Sequence, residues 1–291
     1  AKYLSSFFGW DLFYMTTNGL ITNTVEGEMS FAVDTGHKPT TYPTELDPET
    51  GSARYTGVFD TRRIALRNGR WLSDKLNLDQ QGFILRNHRS TVADLFDDSQ
   101  IRNTYYGECV DLVKENTGVD KVAIFDHTIR IEDADKRNSA DTYRAPVRSV
   151  HNDYTDWSAP KRVRDILPIN EAEERLKKRY VMVNVWRPLM EPVVSWPLVL
   201  CDSASLGPED MIPADHIYPD RRGETYRTAF SEGQEWYYFP EMTMSEVALI
   251  KCFDSETDGR ARFSAHGAAD LIDPPPPGSK PRESIEVRTI G

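Results

Sequence analysis

The chain carries only six histidines, and one stands in the segment His151-Asn152-Asp153. On an extended strand residues i and i+2 face the same way, so this spacing sets an imidazole beside a carboxylate. Two such donors belong to a 2-His-1-carboxylate set, which holds Fe(II) on one face and leaves positions open for a co-substrate and O₂. The three-residue pattern is weak by itself, because a histidine near an aspartate is common on protein surfaces. The sequence that follows gives it weight. His266 is followed sixteen residues on by Arg282 and then by Ser284, where a last strand begins. A guanidinium fork pairs with a carboxylate, and a hydroxyl two residues along can add a hydrogen bond from the same face. That chemistry suits the distal carboxylate of 2-oxoglutarate.

The other histidines compete for the third ligand position. His37 and His88 lie in polar, turn-rich segments and His216 in the loop-like stretch PADHIYPDRRGE, so all three are expected to be exposed. His127 sits in the apolar run FDHTIR, where a buried, hydrogen-bonded histidine is the simpler expectation. His266 is preferred for its order before Arg282 and Ser284.

Positioning these groups requires a mainly β framework. Residues 1–60 alternate short apolar stretches with turn signals at Asn18-Gly19, Asp47-Pro48 and Gly51-Ser52. Ser99 can cap a helix whose apolar positions Ile101, Tyr105, Cys109, Val110 and Val113 recur at helical steps, and Gly118 can close it. That helix should pack on a sheet. Strands are expected at 122–129, 180–187, 196–201, 225–229, 235–239, 246–253 and 284–290, with a solvated helix over 171–179. The run Pro274-Pro275-Pro276-Pro277-Gly278 reads as a stiff loop, since proline cannot donate to a ladder. Many short strands with Gly and Pro turns give a β-sandwich or barrel. A single domain is expected over 1–291, with strands and a helix in 1–120 supporting a core in 121–291.

Substrate contacts have candidates of their own. Along the run YVMVNVWR the strand period puts Asn184 and Trp186 on one side and Arg187 with the valines on the other. Arg187 is then either a buried carboxylate binder or a strand-end residue before Pro188. Arg162 and Arg164 are candidate anchors for an acidic substrate, against a solvated-loop alternative. Trp236, Tyr237, Tyr238 and Phe239 read as core packing.

Composition is that of a globular protein, with 39% hydrophobic and 28% charged residues. A net charge of −11 argues against a nucleic-acid partner, which would call for clustered cations. No apolar run reaches the roughly 20 residues that span a bilayer, and the first residues lack the form of a signal peptide, so no membrane partner is expected. Cys109, Cys201 and Cys252 lack C-x-x-C spacing and are expected to be reduced, buried thiols of a cytoplasmic protein. The residues leave the oligomeric state open.

In order along the chain, FDHTIR (125–130), HNDYT (151–155), NVWRPL (184–189), WPLVLCD (196–202), YPDRRGET (218–225), MTMSEVALIKCFDS (242–255) and RESIEVR (282–288) resemble the hydroxylase/desaturase family of non-haem Fe(II)/2-oxoglutarate-dependent oxygenases. That family includes gibberellin desaturase-like, cephalosporin 7α-hydroxylation component-like and aziridine-forming oxidase-like enzymes. The resemblance covers most of 75–290. It implies a double-stranded β-helix, or jelly roll, with flanking helices. Iron falls on His151, Asp153 and His266, and 2-oxoglutarate on Arg282 and Ser284. O₂ is the oxidant and a small molecule the substrate, which is hydroxylated, desaturated or cyclised, in secondary-metabolite biosynthesis. Where the family follows its distal histidine with Thr, an aromatic and Asp-Pro, this chain has Gly267-Ala268-Ala269-Asp270, so an altered pocket wall is expected there. Two alternatives remain: a metal-dependent jelly-roll enzyme that does not use 2-oxoglutarate, and a non-catalytic binding protein.

Overall fold

A computed structural model describes residues 14–16, 19–21, 24–46 and 53–291. The turn signals at Asn18-Gly19, Asp47-Pro48 and Gly51-Ser52 fall wholly or partly outside the described residues. Eight strands build the core: β1 (Ala123–Ile131), β2 (His151–Asn152), β3 (Val181–Pro188), β4 (Leu198–Cys201), β5 (Trp236–Tyr238), β6 (Glu246–Asp254), β7 (His266–Ala268) and β8 (Glu283–Ile290). One sheet runs β1-β8-β3-β6, and the other runs β2-β7-β4-β5 through its middle, with every one of these pairs antiparallel. This is the double-stranded β-helix.

The sheet of β1, β8, β3 and β6 is covered on both faces, which is why β3 reads as a nearly continuous apolar run and is buried along its whole length. Its outer face meets a helix assembled from Asp98–Gln100, a π-helical turn Ile101–Tyr105, and Tyr106–Thr117. Ile101, Tyr105, Cys109, Leu112 and Val113 are buried there, each large apolar side chain contributing roughly 1.5–3 kcal/mol. The expected cap at Ser99 is corrected. Asp97 caps instead, its carboxylate accepting from the Ser99 and Gln100 amides, and an acceptor two residues earlier starts the helix earlier. Gly118 closes the helix at φ +72, donating to the Lys114 carbonyl.

Further strands extend the second sheet on either side of β2-β7-β4-β5. Val58–Asn68 lies parallel to β5, with Thr24–Val33 antiparallel to it, and a hairpin of Met211–Ile217 and Arg222–Thr228 adds beyond β2. Thr40–Leu46 and Ala53–Tyr55 follow on that edge. The loop expected around His216 is therefore one strand of a hairpin, held by pairing that its Pro and Asp content does not announce. The helix expected at 171–179 spans Ile169–Leu176 and is preceded by another, Ser158–Ile166, where sequence suggested a loop for Arg162 and Arg164. The aromatic run 236–239 is core, the cysteines are free and buried, and the proline run is an unpaired loop before β8.

Candidate metal centre

His151 on β2 and His266 on β7 stand directly opposite each other on adjacent antiparallel strands, so their imidazoles project from one face with ring centroids 4.6 Å apart. Each Nδ1 lies 2.9 Å from a carbonyl two residues upstream, of Ser149 and Ser264 respectively. A carbonyl only accepts, so Nδ1 carries the proton and each Nε2 lone pair is free for a metal. Asp153 completes the group, and ligand atoms of the three residues all lie within 4.8 Å of one another.

The carboxylate is oriented from the facing sheet. Asp153 Oδ2 accepts from Asn184 Nδ2 at 2.7 Å and from Arg288 Nε at 3.3 Å, while Oδ1 lies 3.6 Å from His151 Nε2. One oxygen is thus occupied and the other turned toward the imidazoles. Burial alone would raise this carboxyl, but Arg288, His151, His266 and the Asn184 amide together hold it well below the usual carboxylate range. Burial, followed by the neighbouring His266, keeps the His151 imidazole far below its ordinary value despite Asp153. A neutral imidazole beside an ionised carboxylate is the protonation state that metal binding needs.

A small cavity opens beside the triad, lined by Trp186, Leu198, Gly267, Arg130, Arg282 and Glu286. Arg282 is 3% exposed and lies over the Trp186 ring at 5.1 Å, with Nη1 donating to the Trp196 carbonyl at 2.5 Å. Trp196, whose carbonyl accepts that bond, adopts φ +41, a conformation bulky residues rarely take. Burial, then repulsion from Arg130, pulls the Arg282 guanidinium down to about 9. Arg282 Nε and Ser284 Oγ are both buried without a hydrogen-bond partner. Two imidazoles and a carboxylate, beside unpartnered donors that a second carboxylate would satisfy, fit an iron and a bound 2-oxo acid.

The structure sorts the remaining candidates. Trp186 lines the cavity, and Asn184, on the same face of β3, has its amide committed to Asp153. Arg187 is corrected. It points to the helix side, where Nε donates to the Tyr105 hydroxyl and the other nitrogens donate to the His88 and Met244 carbonyls and to His88 Nδ1. It is buried as one alternative required, yet its partners are neutral and on the wrong face for substrate. Arg164 is corrected too, pairing with Glu173 on the surface. His88 is half-buried against Arg187 rather than exposed, and His216 lies half-buried on its strand with Nε2 3.2 Å from Thr225 Oγ1. His127 is held by the Tyr106 hydroxyl at 2.8 Å, away from the triad, and His37 is exposed.

The residues after His266 have a packing reason. A Cβ on Gly267 would meet Met29 at 3.0 Å, and Ala269 sits against Gly27, so small residues let the strand Thr24–Val33 close behind the metal group. Position 269 faces that strand, and Gly267, against the same strand, also lines the cavity. Sequence reasoning missed Arg130, which pairs in register with Ser284, and Arg288. Arg288 shares the period-2 face of Arg282 and Ser284 within RESIEVR, and that parity was the available signal.

A family model described as "Oxidoreductase/YMDC permease-like domain" matches residues 29–290. Hydroxylase/desaturase efuI of Hormonema carpetanum is 32% identical over 80% of this chain and 84% of that protein. Fe(II)/2-oxoglutarate-dependent dioxygenase nvfI of Aspergillus novofumigatus is 30% identical over 91% of this chain and 95% of that protein. A solved structure of the iron and alpha-ketoglutarate-dependent endoperoxidase NvfI superposes with a TM-score of 0.81 at 28% identity, covering 92% of this chain and 97% of the other. With sequence, fold and donor set in agreement, the chain belongs to the Fe(II)/2-oxoglutarate-dependent dioxygenases, among the members also named hydroxylase/desaturase.

Proposed function

We propose that His151, Asp153 and His266 hold Fe(II) through His151 Nε2, His266 Nε2 and Asp153 Oδ1, and that Arg282 and Ser284 take the distal carboxylate of 2-oxoglutarate. The observation that carries this reading is the pair of buried, unpartnered donors, Arg282 Nε and Ser284 Oγ, two residues apart where β8 begins. Left unsatisfied, each group costs about 1–3 kcal/mol, and a carboxylate would satisfy both. Bound iron supplies the activation of O₂ that couples oxidative decarboxylation of the 2-oxo acid to oxidation of a small molecule's C–H bond.

The protein's own contribution is orientation and dryness. The Nδ1 contacts to Ser149 and Ser264 fix both imidazole planes, and Asn184 with Arg288 leaves Asp153 one free oxygen. Trp186 and Leu198 put apolar surface into the cavity beside the triad and Arg282. The chain is proposed to work as one oxygenase unit over 1–291, with 1–120 supporting the core in 121–291; direct pairing of Val58–Asn68 with β5 supports this. Its partner is a small molecule rather than nucleic acid or membrane, consistent with the net charge of −11. Among the described residues no helix is long and apolar enough to cross a membrane. The buried free thiols support a cytoplasmic location.

Under nitrogen, Fe(II) with 2-oxoglutarate should give a weak visible charge-transfer band that His151→Ala abolishes. Arg282→Gln should raise the half-saturating 2-oxoglutarate concentration about 100-fold, for loss of a charge-assisted contact. Ser284→Ala should raise it roughly tenfold while leaving the metal-free protein as stable or slightly more so, because the deleted hydroxyl has no partner there. A band that survives His151→Ala, or saturation indifferent to Arg282→Gln, sinks the reading.

A further inference from the structure

On the opposite side of the triad from Arg282, the hairpin strand Arg222–Thr228 pairs with β2, and Arg227 falls directly opposite His151. Opposed residues in an antiparallel pair share a face with Cβ atoms about 4.5–5.5 Å apart, so Arg227 projects beside the metal-binding imidazole. The residue is 7% exposed, and no carboxylate among the described residues lies within ion-pair distance of it. Nη1 donates to Ser149 Oγ and Nη2 to Thr41 Oγ1, both at 3.1 Å, and Nε is buried with no partner at all. A guanidinium taken out of water without a counter-ion is costly and calls for an anion. The 2-oxoglutarate reading places its distal carboxylate at Arg282, on the facing sheet, and so leaves Arg227 unanswered.

Polar and aromatic side chains surround Arg227. His216 and Thr225 share its face of the hairpin. The stacked rings of Tyr55 and Phe59, 4.4 Å apart, flank its guanidinium at 5.4 and 5.8 Å. These rings give the guanidinium an apolar flank, half-buried at Tyr55 and exposed at Phe59.

We infer that Arg227 anchors a carboxylate of the molecule to be oxidised, an organic acid whose apolar body packs along Tyr55 and Phe59; this rests on the iron and 2-oxoglutarate reading above. The two hydroxyl partners are neutral and rotatable, so a carboxylate can replace either of them and also reach Nε. A carboxylate adds a second charge and a bidentate geometry that the hydroxyl partners lack. Two anions then flank the iron from opposite sheets, the co-substrate at Arg282 and the substrate acid at Arg227. The carbons nearest the substrate's carboxylate come closest to the metal.

The test uses protein loaded with Fe(II) and 2-oxoglutarate under nitrogen, and equilibrium dialysis of the matched probes 3-phenylpropanoate and 3-phenylpropanamide. Wild type should bind the acid about tenfold or more tightly than the amide, a difference worth about 1.4 kcal/mol. Arg227→Gln should erase that preference while 2-oxoglutarate saturation of the visible band stays unchanged. Arg227→Lys keeps the charge but loses the fork and should retain only part of the preference, so it decides the matter if the glutamine variant does not fold. Equal uptake of acid and amide, uptake of neither, or a preference untouched in the folded variants overturns the inference. A preference lost in Arg282→Gln but kept in Arg227→Gln also overturns it, because the acid would then sit in the co-substrate pocket. Failure of the charge-transfer band to form in wild type would instead count against the iron and 2-oxoglutarate reading itself.

Discussion

Asn184 on β3 donates to Asp153 Oδ2 at 2.7 Å, so the triad's only carboxylate is aimed from the opposite sheet. The contact spans the interior of the β-helix and joins its two layers at the metal group. It also leaves Asp153 with one free oxygen, because Arg288 shares the same Oδ2.

The consequence is measurable as metal affinity. Asn184→Ala removes a hydrogen bond to a ligand without touching a ligand, and such outer contacts typically contribute 10- to 100-fold to metal binding. Titration calorimetry with Fe(II) under nitrogen should show a loss in that range. An affinity within about twofold of wild type would mean that Arg288 alone aims the carboxylate.

A second expectation concerns acid stability. Burial first, then Arg227, lowers the His216 imidazole to about 4, with Asp153 opposing. The unfolded chain takes up a proton near pH 6.5, whereas the folded protein refuses it until about pH 4. Stability is therefore lost as pH falls between those values and is unaffected above them. The effect should be roughly 1–3 kcal/mol for the metal-free protein, read from urea midpoints at pH 7 and pH 5. His216→Asn should remove its share of that slope and leave the part that His151 contributes. If the slope remains as steep in the variant, another group is responsible.

Much of this candidate site could be seen in the residues alone, for reasons specific to each. His151 and Asp153 are legible because a strand period of two is local, and Arg282 with Ser284 repeats that logic. His266 is legible only by its order before them, since its partnership with His151 is made by strand pairing across more than a hundred residues. Arg227 was not legible. The role proposed for it comes from a register in which it faces His151, and the segment preceding its strand, rich in Pro, Asp and Arg, reads as a loop. The mainly β class followed from strand and turn signals, and the double-stranded β-helix from the family resemblance. The outer strands Thr24–Val33 and Val58–Asn68 did not, because their position depends on small residues at 267 and 269 that gave no sign of packing.

Arg187 tests the distinction between a buried cation that binds substrate and one that binds the fold. Its parity, opposite to Asn184 and Trp186, already sets it on the far face of β3. There it ties the helix, through the Tyr105 hydroxyl, to the carbonyls of His88 and Met244. Arg187→Met keeps much of the volume but strands those acceptors, a loss of about 2–4 kcal/mol, which chemical denaturation would register as a lower midpoint. The surviving folded protein should keep wild-type half-saturation for both 2-oxoglutarate and substrate, because none of these partners faces the cavity. A substrate KM raised tenfold with stability intact would overturn this placement and return Arg187 to the binding site.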